Sequence, residues 1–440
     1  MNRRSFLGAA AVGAVSAMTA RRAAGANERV VVGVIGINDR GLDLALEFGK
    51  RKDVELRYVA DPDSRLFEPR GKTIAEETGQ KPSFVQDFRR ILDDQEVDAV
   101  AIATPDHWHA LATILACQAG KDVYVEKPTS HSIWESRKMV EAARKYERVV
   151  QVGTQNRSAV YVRDALDFIR SGALGDIHFV RVMNSKKREP MEVKADTTVP
   201  EGVDYNLWLG PAPERPFNEN HFHYQWHWFW NYGGGDLSND GVHQIDLARW
   251  VIDRRHPKSV VSVGGMHMMN DARDTPDTQV VTWEFERLTV TLEETLWTPY
   301  MAKTPLELRD KGGVPNWPFN GTRVEVYGTK QFLYLGRMGD GWQVFDGDGK
   351  PVSSAGGEFA KTFERHVDNF VQCVRDRKRP NADIEEGHFS TLLAHYGNIA
   401  YRTGRRLWID EATEGFKDDA EANAMVKRNY RAPWAVPEVV

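Results

Sequence analysis

The stretch Val30-Val31-Val32-Gly33-Val34-Ile35-Gly36-Ile37-Asn38-Asp39-Arg40-Gly41 decides the fold, together with the helical pattern Leu42–Lys50 and the run Glu55–Ala60 that ends at Asp61. A β-branched run, a turn with glycine at both ends, an amphipathic helix and a second apolar run closed by a carboxylate form a strand–turn–helix–strand unit for a dinucleotide. Gly36 allows the tight turn, and Gly41 allows the helix to pack closely on the strand. Position 38, where the pattern has its second glycine, holds Asn. Its side chain sits where backbone should approach a pyrophosphate, although Asn tolerates positive φ. Asp39 and Arg40 complete the turn. Asp61 lies 20 residues beyond Gly41, where a carboxylate accepts the adenosine ribose hydroxyls and repels a 2′-phosphate. NAD is therefore the expected cofactor, with Arg65 nearby leaving room for NADP.

Outward from this unit, Ala99–Ala103, Asp122–Val125 and Val149–Val152 are further continuous apolar runs, as parallel strands covered on both faces require. Between the runs, Arg65–Thr78, His109–Ala119 and Ile133–Tyr146 read as helices, with Gly79 and Gly120 where helices end. The alternation predicts an α/β fold whose N-terminal domain, residues 27–155, is a Rossmann doubly wound parallel sheet. After Gln155 a helix at Ala159–Ser171 leads into strands of period-two alternation: Ile177–Asn184, Val260–Met269, Thr278–Phe285, Thr289–Leu296, Val324–Tyr327 and Phe332–Leu335. These predict a second α/β domain over residues 156–440, built on one mainly antiparallel sheet and ending in helices Thr362–Asp376 and Glu386–Thr403.

Ahead of both domains, Asn2-Arg3-Arg4-Ser5-Phe6-Leu7, an apolar run to Ala20 and the small residues Ala24-Gly25-Ala26 read as a twin-arginine signal peptide, residues 1–26. That run is too short for a spanning helix, so no membrane insertion is expected once the signal is removed. Losing Arg3, Arg4, Arg21 and Arg22 takes the formal charge from −5 to about −9. No basic stripe remains, which argues against nucleic acid or an anionic membrane as partner. Cys117 and Cys373 sit in apolar helical contexts and read as buried thiols rather than a disulfide. Thirteen Trp, crowded around residues 208–250, suit either a sugar-like ligand or an aromatic core.

Further motifs follow in order: Thr104-Pro105-Asp106-His107-Trp108-His109, Glu126-Lys127-Pro128, Gly153-Thr154-Gln155-Asn156-Arg157, the run Gly233–Asp246, and Arg379–His388. Together they closely resemble the Gfo/Idh/MocA oxidoreductases, the family of glucose–fructose oxidoreductase and inositol dehydrogenase, over essentially the whole mature chain. The resemblance implies a C-terminal domain with a large open sheet through which members form homo-oligomers, dimers or tetramers. It also implies that Thr104, Pro105, Trp108, His109, Glu126 and Gln155 line the nicotinamide half of a cofactor site.

Lys127 lies just past a buried strand end, where an ammonium can polarise a hydroxyl or carbonyl oxygen as hydride leaves carbon. His243 matches the family's catalytic histidine and suits proton transfer near neutrality. Family members often carry Asp four residues before it, one helical turn away; Asn239 stands there, with Asp240 next and Asp246 beyond as substitutes. Asp106, His107, Arg157 and Tyr161 are further pocket candidates, and Arg157, Tyr161, Asn239, Asp240, His243 and Lys127 make the expected substrate set. The stretch His221–Trp230 reads as an aromatic wall or as interdomain packing. No metal is expected, since neither Cys nor convergent carboxylates accompany its three histidines.

The expected activity is hydride transfer between a secondary alcohol of a sugar, cyclitol or sugar derivative and a tightly held nicotinamide cofactor. An exported, periplasmic enzyme finds little free dinucleotide, so it is expected to load its cofactor in the cytoplasm and to restore it during the reaction. That logic keeps a second reading open: a glycoside hydrolase or lyase working through a transient keto-sugar with no net redox change. A non-catalytic carbohydrate-binding protein is a third.

Overall fold

The structure, a computed structural model, describes residues 29–440. The signal peptide expected at residues 1–26 lies outside them. Six parallel strands form the first sheet: β1 (Val30–Ile35), β2 (Val54–Ala60), β3 (Ser83–Val85), β4 (Ala99–Ile102), β5 (Asp122–Val125) and β6 (Val150–Val152), in the order β3-β2-β1-β4-β5-β6. Valine, isoleucine and alanine fill these strands because helices cover both faces. The order reverses between β1 and β4, so the loops leaving those strands diverge and open a crevice at their carboxyl ends. The short edge strand β3 was not expected, and helix Arg89–Asp93 after it was not either.

The second sheet has ten strands. In chain order they are β7 (Ile177–Ser185), β8 (Ser259–Gly265), β9 (Thr278–Phe285), β10 (Leu288–Thr295), β11 (Arg323–Gly328), β12 (Phe332–Gly336), β13 (Trp342–Phe345), β14 (Pro351–Ala355), β15 (Leu407–Asp410) and β16 (Gly415–Phe416). They lie in the order β14-β13-β12-β11-β7-β10-β9-β8-β15-β16. Every pairing is antiparallel except that of β7 with β10. One face is buried under helices Val160–Arg170, Gly241–Ile252 and Ile384–Thr403, where Leu166, Ile245, Phe389 and Tyr396 meet Val182, Val281, Trp283 and Leu292. The other face carries ion pairs such as Arg181–Glu293 and exposes Val263.

The chain ends by returning to the first domain. Phe370 of helix Phe359–Asp376 packs edge-on against Phe48 and Tyr124. Trp434 meets Trp108 edge-on at 5.3 Å, and Val436 and Val440 join the same cluster. Arg431 ties this tail to the Asn206 side chain and the Gly210 carbonyl. Cys117 and Cys373 are both buried and free. Among the described residues no helix is long and apolar enough to cross a membrane. Trp434→Ala should lower the unfolding free energy by about 3 kcal/mol through the cavity it leaves, read as a shifted midpoint in chemical denaturation with the cofactor domain's signal moving first.

Candidate active site

The crevice between β1 and β4 continues into a cleft with the second domain. Gly36 sits at φ +85°, and a Cβ there would lie 2.7 Å from the Ala103 carbonyl oxygen. Only glycine allows this approach. A Cβ on Gly41 would fall 1.7 Å from the Gly36 carbonyl oxygen, so Gly41 holds the helix under the turn and is not part of the cleft wall. Asn38, Asp39 and Arg40 line the cleft. The Asn38 side chain accepts a hydrogen bond from Arg70 at 3.2 Å.

Asp61 lines the same end and is 8% exposed. Its carboxylate accepts the backbone N–H of Ile37 at 2.9 Å and of Asp63 at 2.9 Å. Burial outweighs these two bonds and pushes the carboxyl up to about 6.

From the loops after β4 and β5, Thr104, Pro105, Asp106, Trp108, His109, Glu126 and Lys127 line the cleft. Two of them are locked by backbone carbonyls. His109 bridges the oxygens of Thr104 and Pro128 at 2.9 and 2.7 Å, and Trp108 donates to Leu207 and Trp208 of the second domain. Glu126 accepts from Arg40 Nε at 2.8 Å, Lys127 N at 3.2 Å and Gln155 Nε2 at 3.3 Å. Burial would raise its carboxyl, but Arg40 and Lys127 hold it below the usual range. Gln155 stands behind Glu126 rather than in the wall.

Lys127 extends its ammonium to the Asn239 carbonyl oxygen at 2.8 Å. The expectation that Asn239 lies one helical turn before His243 fails, because the backbone breaks at Asp240 between helices Gly235–Asn239 and Gly241–Ile252. Asn239 therefore serves the site through its carbonyl. His243 is 4% exposed, and its Nδ1 finds no hydrogen-bond partner among the described residues. Burial, then Arg337 and Lys127, hold the imidazole well below its ordinary value, so it stands neutral.

Four candidate residues are corrected by placement. The Asp240 carboxylate is taken by Lys186 at 2.6 Å, Arg337 at 2.7 Å and Lys303 at 3.1 Å, which hold it well below the carboxylate range, and it makes no side-chain bond to His243. It is neither an acid nor the orienting group; Asp246 is not that group either, because it pairs with Arg157 at 2.8 Å. That pair keeps Arg157 buried in the domain interior, away from the cleft. Tyr161 is buried in a loop clamp, donating to the Gly336 carbonyl and accepting from the Gly339 N–H. Both residues follow the cofactor domain closely in sequence, which made them look like pocket residues, but the chain turns inward there.

Asp106 lines the cleft close to Lys127 with a carboxyl raised well above its usual range by burial, whereas His107 is buried against the Trp208 carbonyl. The histidines of 221–227 diverge. His221 packs edge-on to Phe229, His223 bonds Asp63 at 2.9 Å, and His227 is buried. Among the described residues no cluster of three metal-binding side chains forms. His223, Tyr224 and Trp226 do line the cleft, while Trp228 and Phe229 pack in a core behind it. Sequence reading missed Lys186, Arg188, Lys303 and Arg337, which come from three separate segments with no motif spacing.

The residues present fit a bound dinucleotide. The turn residues Gly36, Asn38, Asp39 and Arg40 face the cleft, and Thr104 Oγ1, Asp106 Oδ1 and Arg40 Nη2 are buried along it without partners among the described residues.

Residues 30–154 match the Gfo/Idh/MocA family model described as oxidoreductase family, NAD-binding Rossmann fold, and residues 186–293 and 334–436 match its C-terminal alpha/beta domain. An uncharacterized oxidoreductase of Streptococcus pneumoniae serotype 4 is 32% identical over 148 residues, 34% of this chain and 38% of that protein. Glycosyl hydrolase family 109 protein 1 of Shewanella sp. strain ANA-3 is 27% identical over 157 residues, 34% of each. The chain thus spans little more than a third of the length of these curated relatives. In fold, it is similar to levoglucosan dehydrogenase in complex with NADH and levoglucosan, with TM-score 0.65 and 18% identity over 87% of this chain and 99% of that one.

The raised Asp61 carboxyl sets the sign of one measurement. Only the ionised form accepts both ribose hydroxyls, and the folded protein keeps its proton up to about 6. NAD affinity should therefore fall as pH drops below about 6, by up to about tenfold per pH unit, measured by calorimetric titration of NAD into cofactor-stripped protein.

Proposed function

The chain belongs to the Gfo/Idh/MocA oxidoreductase family and carries that family's NAD-binding Rossmann domain, and from this premise we propose that it moves hydride between a secondary alcohol of a sugar, cyclitol or sugar derivative and a nicotinamide cofactor it holds tightly. The observation that carries the reading is the Lys127 ammonium, fixed at 2.8 Å on the Asn239 carbonyl in the same cleft as the dinucleotide turn, with neutral His243 and the Asp106 carboxyl near it. The cofactor supplies the hydride acceptor. Lys127 orients the substrate hydroxyl and lowers the charge that builds on its oxygen, and His243 takes the proton and later returns it. With His243 buried and Lys127 half-buried, these groups act where water is scarcer and each interaction is stronger than at the surface.

Tight retention is supported by the second domain's reach over the adenosine end. His223 grips Asp63, and Ser64 N–H donates to the Gly202 carbonyl. A cofactor that stays bound suits the twin-arginine signal read at residues 1–26 and a periplasmic location. It also favours the redox-neutral reading, glycoside cleavage through a keto-sugar, for which the likeness to a family 109 glycosyl hydrolase is the specific support. Assembly into a homo-oligomer through the open sheet face belongs to the same proposal.

Incubating the purified protein with sugars and glycosides, without added cofactor, separates the readings. Lasting absorbance of reduced nicotinamide indicates net oxidation; sugar release without it indicates the cleavage cycle. No response to any sugar, with no dinucleotide in the denatured supernatant, overturns both. Lys127→Met should lower kcat by about 10²- to 10⁴-fold while the protein still retains NAD, measured by turnover alongside cofactor content.

A further inference from the structure

Beside Lys127 and His243 lies a cluster of charges that does not balance. Asp240 holds Lys186, Arg337 and Lys303 on its two oxygens. Asp236 binds Lys186 again and takes Arg188 at 2.8 Å. The third carboxyl, Glu294, sits 2.7 Å from the Asn184 amide, and burial beside Asp236 and Asp240 raises it well above its usual range. Arg309 is matched by its own partner, Asp340, at 3.2 Å. Four cations thus face three carboxyl groups, and Lys127 adds a fifth positive charge close by, on the Asn239 carbonyl.

A buried excess of positive charge is costly unless an anion completes it. Of the four cations, Lys303 is the one with an open side: its side chain is 38% exposed, whereas Lys186 and Arg337 are almost wholly covered. Desolvation, then repulsion from Arg337 and Lys186, pulls its ammonium down to about 7 against the attraction of Asp240. Arg188, 22% exposed, reaches the Tyr224 hydroxyl at 3.1 Å, and Tyr224 lines the cleft. Polar atoms of the cluster, Arg188 Nε and Arg337 Nε among them, are buried without partners among the described residues. The cluster has the make-up of a subsite for an oxyanion.

We infer that the substrate is an anionic sugar whose carboxylate or sulfate ester is held by Lys303 and Arg188 while its reacting hydroxyl lies between Lys127 and His243. The inference rests on the proposed hydride-transfer site for the second half of that placement and on the charge count for the first. Partnered by an anion, Lys303 keeps its proton, so binding takes up a proton near neutrality and weakens as pH rises through about 7.

The test is calorimetric titration of the NAD-loaded protein with D-glucose, D-glucuronate and D-glucose 6-sulfate, in parallel with their oxidation. Glucuronate or the sulfate ester should bind at least about tenfold tighter than glucose. Lys303→Gln should abolish the preference, and Lys303→Arg should keep it. Tighter glucuronate than sulfate identifies a carboxylate substrate, and the reverse a sulfated one. Equal binding of all three, or a preference untouched in Lys303→Gln, overturns the inference. Anion-selective binding with no reduced nicotinamide and no sugar cleavage leaves the subsite standing and overturns the hydride-transfer reading instead.

Discussion

A carboxylate buried at the end of β5 sets the terms for the whole cleft. Glu126 has left water, and an ion that does so must be met by opposite charge and by donors on its remaining lone pairs. Arg40 provides the charge from the dinucleotide turn, and Gln155, Tyr124 and the Lys127 N–H provide donors. One ion pair thereby ties the turn after β1 to the loop after β5. Removing either partner of such a pair costs on the order of 3–5 kcal/mol, because the other is left uncompensated. Phe363 stacks on the Arg40 guanidinium at 4.2 Å and Gly153 leaves room for the carboxylate, so the second domain's return and the end of β6 both depend on the same contact.

The consequence for the reacting end is positional. Lys127 follows Glu126 directly, and its ammonium spans to the Asn239 carbonyl where two helices meet at a break. The cleft thus lies between the first domain's turn and the second domain's broken helix. Burial does electrostatic work along it: it lifts the Asp61 carboxyl, lowers the His243 imidazole and keeps Asp106 from ionising readily.

Sequence reading found what repeats or alternates. The five long apolar runs of the first sheet are β1, β2, β4, β5 and β6 within a residue or so, since full burial on both faces leaves a continuous signature. Strand β3 has three residues, none of them buried, and β13 to β16 are short strands at or next to the two edges of the sheet, so none carries a period long enough to see. Motif residues of the site were legible because the chain concentrates them at strand ends. Lys186, Arg188, Lys303 and Arg337 were not, since only the fold of the ten-stranded sheet brings the ends of β7, β10 and β12 to Asp240. Asp240 and Arg157 were misread for the reverse reason: nearness in sequence to a motif does not say which way a side chain turns.

The tail that carries Trp434, Val436 and Val440 into the first domain's interior orders events during synthesis. The nucleotide-binding half is made first, yet its apolar interior waits for residues made hundreds of positions later. Until Trp434 is in place, Trp108 and Phe88 lack a neighbour in that cluster. The first domain therefore cannot finish its interior while it is being made, and a chain without Trp434, Val436 and Val440 would leave that interior open.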